Sequence, residues 1–126
     1  MAEISIDINR NESFTAVTIR GDLAEGELTS YLSEYYSNGP TDNLLIDSSE
    51  GTWTNIPTSA FERDVNNGKK YSKRGKSALL FSNTADFGLG RMIESFTNIA
   101  NYDTQVQCFR DKEEAIAWLK SPLQQK

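Results

Sequence analysis

Asp47, Ser48 and Ser49 set a carboxylate and two hydroxyls side by side at the end of an apolar run, a grouping that could serve acyl transfer. A serine nucleophile needs a base to take its proton, but the chain has no histidine and nothing in the sequence forces a lysine near these residues. Glu113 and Glu114 do not form an acid/base pair either. Successive helical residues point about 100° apart, so their carboxyls diverge. A single cysteine, Cys108, and the absence of histidine exclude internal disulfides and metal centres of the His/Cys type. Nothing cationic is forced beside Cys108, which reads as a buried strand residue rather than a reactive thiol. Gly88-Leu89-Gly90 lacks the third glycine and the Lys-Ser of a phosphate loop, so it reads as a helix start that needs flexibility or close approach. These residues point away from catalysis: the chain is expected not to be an enzyme and to carry neither cofactor nor metal.

The polar residues are better suited to binding. In an open parallel sheet, ligands sit beyond the carboxyl ends of the strands, where helix N-termini offer free amides. The loops there hold Asp22 after the second strand, Asp47, Ser48 and Ser49 after the third, and Ser82 and Asn83 after the fourth, with Gly21, Thr84 and Asp86 close by. Each has a second reading, Asp22 and Asp86 as helix N-caps, the serines and Asn83 as turn formers. Trp53 and Phe87 add an aromatic element. Turned toward Phe61 and Tyr71, they would line an apolar cleft for a lipid-like or aromatic ligand; otherwise Trp53 plugs one end of the core.

These residues need a scaffold, and hydrophobic periodicity supplies one. Ile4, Ile6 and Ile8 alternate with polar residues, as in a strand with one wet face. Asn9 to Glu12 is turn material, and Phe14 to Arg20 is a β-branched second strand, giving an antiparallel hairpin. Asp22 with Glu25 opens a helix carrying Leu28, Tyr31, Leu32 and Tyr35 on one face, ended by Asn38-Gly39-Pro40. Asn43 to Asp47 and Ser77 to Phe81 are apolar throughout their centres, the pattern of strands buried on both faces. Between them, Ser48 to Pro57 reads as a polar loop. Ser59 to Glu62 then has capping-box spacing and opens a thin-striped helix that runs toward Gly75, exposed or distorted.

Leu89, Met92, Ile93, Phe96, Ile99 and Ala100 form the cleanest helical stripe and are read as core, with Asn101 ending the helix. Gln105 to Phe109 is a more polar fifth strand near an edge, and Asp111 caps a last helix bearing Ala115, Ile116, Trp118 and Leu119. Strands joined through helices pair in parallel by right-handed crossovers, which leaves one sheet face to be covered by a helix that changes sides, by a second copy in a homodimer, or by a mix of both, the reading favoured here.

Composition bounds the rest. At 126 residues the chain fits one domain, and 37% hydrophobic with 25% charged residues is a globular balance. The net charge of -5 disfavours nucleic acid and anionic membranes. The cations Lys69, Lys70, Lys73, Arg74 and Lys76 read as a solvated stripe at a helix end. No secretory signal or spanning apolar run is visible, so the expected location is the cytoplasm.

The hairpin, Gly21-Asp22 opening a helix, the strand Leu44-Leu45-Ile46-Asp47 running into Ser48-Ser49-Glu50-Gly51-Thr52-Trp53, and the closing strand Val106 to Phe109 with its following helix together resemble the STAS/SpoIIAA-like superfamily. The likeness covers nearly the whole chain, and is greatest to small stand-alone bacterial members of unknown function. It implies a single domain over residues 1–126 of class α/β, a SpoIIAA-like β-α superhelix. Its five-stranded mixed sheet would carry an N-terminal antiparallel hairpin, the remainder parallel, with four helices. It also implies a non-enzymatic regulatory or protein-interaction module, with a protein partner; the alternative is a carrier or sensor of a small apolar ligand near Trp53. Anti-sigma-factor antagonists of that superfamily switch partners when a serine after the third strand is phosphorylated. The corresponding position falls on Ile56 or Pro57, neither of which accepts a phosphate, while Thr58 and Ser59 stand nearby.

Overall fold

β-Branched and apolar runs separated by helical stripes build alternating strands and helices. The computed structural model describes residues 3–9, 14–24, 26–27, 30–33, 43–53, 56–71 and 74–122. The strands are β1 (Glu3–Asn9), β2 (Phe14–Asp22), β3 (Asn43–Thr52), β4 (Gly75–Phe81) and β5 (Thr104–Phe109). Residues 30–33 are helical and mark α1, followed by α2 (Thr58–Gly68), α3 (Thr84–Ile99) and α4 (Lys112–Lys120). The sheet order is β1-β2-β3-β4-β5. β2 to β5 run parallel to one another, and β1 lies antiparallel along β2. The turn expected at Asn9 to Glu12 falls mostly outside the described residues, as do Glu25, Leu28, Tyr35 and Asn38-Gly39-Pro40.

Alternation along the strands divides the interior into two layers. Val17, Ile19, Leu44, Ile46, Leu79, Phe81 and Cys108 point to one face, where α2 and α3 contribute Ala60, Phe61, Leu89, Met92, Ile93 and Phe96. Phe14, Leu45, Ala78, Leu80 and Phe109 point to the other, where α4 sets down Ala115 and Leu119. A helix that changes sides, α4, therefore packs on the second face. Every residue of β4 is buried, as its uniform apolarity requires.

Several local expectations are corrected. β3 does not stop at Asp47: its ladder with β2 continues through Arg20↔Glu50, Gly21↔Gly51 and Asp22↔Thr52, so Ser48 to Thr52 is strand rather than loop. The continuation follows a bulge. Thr18 pairs with Asp47 and Arg20 with Glu50, leaving Ser48 and Ser49 together opposite Ile19. Gly21 takes a φ of 77° there, and a Cβ on Gly51 would lie 3.0 Å from the carbonyl oxygens of Gly21 and Ile19, so both glycines are required where the strands close up. Asp22 is consequently the last residue of β2, not a helix cap.

Ser59 is not a cap either. α2 begins at Thr58 after Pro57, with no side-chain cap, ends at Gly68 rather than near Gly75, and is followed by a single 3-10 turn over Lys69–Tyr71. Asn83, not Asp86, caps α3, with its side chain accepting from the Asp86 N–H at 2.8 Å. Ile99 leaves the core stripe and is 78% exposed at the last turn of α3, and Asn101 at φ 59° follows the helix end. Lys76 leaves the basic stripe: it belongs to β4 and is buried, its ammonium donating at 2.6 Å to the carbonyl oxygens of Trp118 and Ser121 at the end of α4. Burial pushes that ammonium below the ordinary lysine value of 10.5. Asp111 caps α4 as expected, accepting from the N–H groups of Glu113 and Glu114.

Candidate functional site

β3 and β4 pair directly, from Asn43↔Lys76 to Ser48↔Phe81, so their carboxyl ends meet on one edge. The polar residues that follow do not converge on a single point, because alternate side chains leave opposite faces of the sheet. Asp47 and Ser49 go to the α4 side. There Asp47 accepts the Ser49 hydroxyl at 2.6 Å and its N–H at 3.0 Å, while the other carboxylate oxygen stands 3.5 Å from the Lys112 ammonium. Lys112 is a cation that spacing along the chain gave no reason to place there. Ser48 goes to the other side and accepts the Trp53 indole N–H at 3.0 Å.

Asn83 and Asp86 lie on that same side. The Asp86 carboxylate is fully buried and accepts from the Asn83 side-chain amide at 2.9 Å, the Thr52 hydroxyl at 3.2 Å and the Trp53 N–H at 3.1 Å. Ser82 and Thr84 are exposed, and Arg110 donates to the Ser82 carbonyl and the Thr84 hydroxyl at 3.4 Å. Asp22 is exposed at the end of its ladder. The predicted rim is thus divided between the two faces of the sheet, Asp47 with Ser49 and Lys112 on one and Ser48, Asn83 and Asp86 joined through Trp53 on the other. Gly88 and Gly90 lie inside α3, so their amides are not free for an anion; a Cβ on Gly90 would fall 2.4 Å from Phe81 Cε2, which identifies close approach of helix to sheet as its role.

On the face covered by the first three helices, the sheet and its cover do not meet everywhere. A cavity of about 290 Å³ lies between them. Its floor is Leu44 and Ile46 of β3, Leu79 of β4 and Val106 of β5, its roof Phe61 and Val65 of α2 with Ile93 of α3, and Leu32 of α1 closes one side. The gap follows from the thin apolar stripe of α2, which lays down only Ala60, Phe61 and Val65. Trp53 borders the cavity, only 1% exposed, stacked on Phe61 with ring centres 6.1 Å apart and edge-on to Phe81 at 5.0 Å. Of the residues expected from sequence to line an apolar cleft, Trp53 and Phe61 line this space. Phe87 packs against the same core without reaching the cavity, and the side chain of Tyr71 lies outside those described.

The polar lining is sparse. Ser77 of β4 faces the cavity on the same side as Leu79, is 8% exposed, and its hydroxyl has no hydrogen-bond partner among the described residues. Thr97 spends its hydroxyl on the Glu94 carbonyl at 2.8 Å, and Tyr102 donates to the Val65 carbonyl. Asn67 and Lys70 are exposed at the α2 side, and Asp64 is half-buried there. Sequence reasoning passed over Ser77 as one more residue of a buried strand. The available signal was a hydroxyl at inward-facing spacing in an otherwise apolar run.

Cys108 lies beneath α3 on the cavity face of the sheet, and its N–H donates to Glu94 at 3.2 Å. Burial first, and the Glu94 carboxylate second, hold its thiol far above the ordinary value. It is an inert core residue.

This architecture is of class α/β with a SpoIIAA-like fold. A crystal structure of an uncharacterized protein from the DUF3478 family with a SpoIIAA-like fold, from Shewanella loihica, superposes with a TM-score of 0.57 over 94% of this chain and 93% of that one, at 22% identity. No protein-family model matches the sequence, and no curated protein is significantly similar to it. Among the described residues, no helix is long and apolar enough to cross a membrane.

Proposed function

We propose that the chain is a non-enzymatic binding module that holds a small, mostly apolar ligand in the cavity beside Trp53. The observation that carries this reading is the 290 Å³ space itself, floored and roofed by aliphatic and aromatic side chains. A dry apolar cavity of about 150 Å³ already takes up benzene, so a space of this size accommodates roughly twice that, about a dozen non-hydrogen atoms. An empty space costs the fold the contacts its lining lacks, a cost that a bound apolar molecule recovers.

The same reading favours ligand control over phosphorylation where a regulatory role is concerned. The position corresponding to the phosphoserine of anti-sigma-factor antagonists is Ile56 or Pro57, and Ile56 is a buried core residue bordering the cavity. A signal entering there would be carried by occupancy of the cavity. Catalysis has no support from the described geometry: Ser49 is paired with a carboxylate, an ordinarily weak base, and Ser48 with an indole N–H.

The test is a titration with naphthalene followed through backbone amide chemical shifts. Saturable shifts at Leu44, Leu79, Val106 and the Trp53 indole are expected. Shifts absent from these residues at the solubility limit of the probe would overturn the proposal.

A further inference from the structure

We infer that the ligand is a neutral molecule carrying one hydroxyl or carbonyl group on its buried end, and that Ser77 reads this group. The inference rests on the cavity being a ligand site and specifies what it selects. Ser77 is more than nine-tenths buried, faces the cavity from the inner strand β4, and has no hydrogen-bond partner among the described residues. Its hydroxyl opens onto the cavity rather than onto another protein group, so it is available to hydrogen-bond whatever fills that space. The other buried hydroxyl on the lining, that of Thr97, is satisfied by the carbonyl of Glu94 in its own helix. Ser77 has no such outlet. It sits in a strand, where its backbone groups are committed to the ladders with β3 and β5.

The chemistry of the ligand follows from what surrounds that hydroxyl. A serine hydroxyl both donates and accepts, so it pairs with a hydroxyl or a carbonyl. The floor and roof beside it are Leu44, Leu79, Val106 and Val65, none of which can neutralise a charge, and an unpaired ion buried there would cost far more than a hydrogen bond returns. The charged residues of the lining, the half-buried Asp64 and the exposed Lys70, belong to α2 and the 3-10 turn after it, not to the sheet strands that flank Ser77.

Naphthalene, 2-naphthol and 2-naphthoate, which share one bicyclic frame, separate the claims when titrated into the wild-type chain, Ser77→Ala and Ser77→Cys. Wild type is expected to bind 2-naphthol about 3- to 10-fold more tightly than naphthalene, the equivalent of one net hydrogen bond, and to bind 2-naphthoate more weakly than both. In Ser77→Ala the preference for the naphthol should vanish while naphthalene binds at least as well, and Ser77→Cys, a weak donor of nearly the same size, should lie between. Equal binding of naphthalene and 2-naphthol by wild type, survival of the preference in Ser77→Ala, or tightest binding of the carboxylate would each overturn the inference while leaving the cavity a ligand site. Failure of all three probes to bind wild type would overturn both.

Discussion

The buried carboxylate of Asp86 accepts the backbone N–H of Trp53 at 3.1 Å, tying the first turn of α3 to the residue that follows β3. That bond spans 33 positions in the chain and sets where the indole can lie. With Ser48 holding the indole N–H from below, Trp53 is pinned at two points, and the wall it gives the cavity is rigid. Asp86→Ala should therefore cost about 2–4 kcal/mol, because the Trp53 N–H and the Asn83 amide lose their buried acceptor. Urea denaturation measures it, and a loss under about 0.5 kcal/mol would contradict the assigned role.

The two glycines near the start of α3 should behave oppositely. A Cβ at Gly90 meets Phe81 at 2.4 Å and the Cys108 sulfur at 2.7 Å, whereas one at Gly88 meets nothing within 4 Å. Gly90→Ala is expected to destabilise by about 1–3 kcal/mol, and Gly88→Ala to stabilise by about 0.5–1 kcal/mol through helix propensity alone. Thermal melts of the two variants side by side give the comparison.

Filling the cavity should separate stability from binding. Val65→Phe places a ring in the space under α2 and is expected to raise stability by about 0.5–2 kcal/mol while abolishing naphthalene uptake. A variant that gained stability and still bound the probe would move the site elsewhere.

Lys76 closes the end of α4 with hydrogen bonds at 2.6 Å to the Trp118 and Ser121 carbonyls and the Ser121 hydroxyl, its ammonium 5.0 Å from the Trp118 ring centre. Lys76→Met keeps the apolar stem and removes the head group, and should cost about 1–3 kcal/mol with faster hydrogen exchange confined to the last turn of α4. Lys76→Ala should cost more, since it also opens a void.

Cys108 should resist Ellman's reagent in the folded protein at pH 8 and react at once in urea. Its thiol is raised in the folded state above the ordinary 9.0, so the folded chain keeps a proton that the unfolded chain releases. The corresponding stability is fully present below pH 9.0 and is lost as the pH climbs above it toward the folded-state value. Stability curves measured above that pH should fall more steeply for the wild type than for Cys108→Ala.

Hydrophobic period alone was enough to read most of the frame. Leu44 to Ile46 and Ala78 to Phe81 are apolar at every position, the pattern of a strand covered on both sides, and they are neighbours in the sheet. Asp111 and Asn101 carry their helix-end roles in their own side chains and backbone preferences, and these too could be read locally. Misreadings fell where a distant segment outweighed a local signal. Ser48 to Thr52 has turn-like composition, yet β2 supplies a continuous ladder partner and a bulge absorbs the mismatch. Ser59 has capping spacing, yet α2 starts a residue earlier, after Pro57.

The candidate site divides along the same line. Residue types alone set the character of the interior, with no histidine to act as base and one cysteine, because side-chain chemistry travels with the residue wherever the chain takes it. Trp53 as a lining residue could also be anticipated from its size and amphipathic ring. What the tertiary structure decided is which groups meet: Lys112 with Asp47, Asp86 with Trp53, and Ser77 with an open space rather than a partner. A cavity is a difference between the volume that helices and sheet enclose and the volume their side chains fill. That difference exists only once α2 has been set against β3 and β4, and no local stretch of sequence contains it.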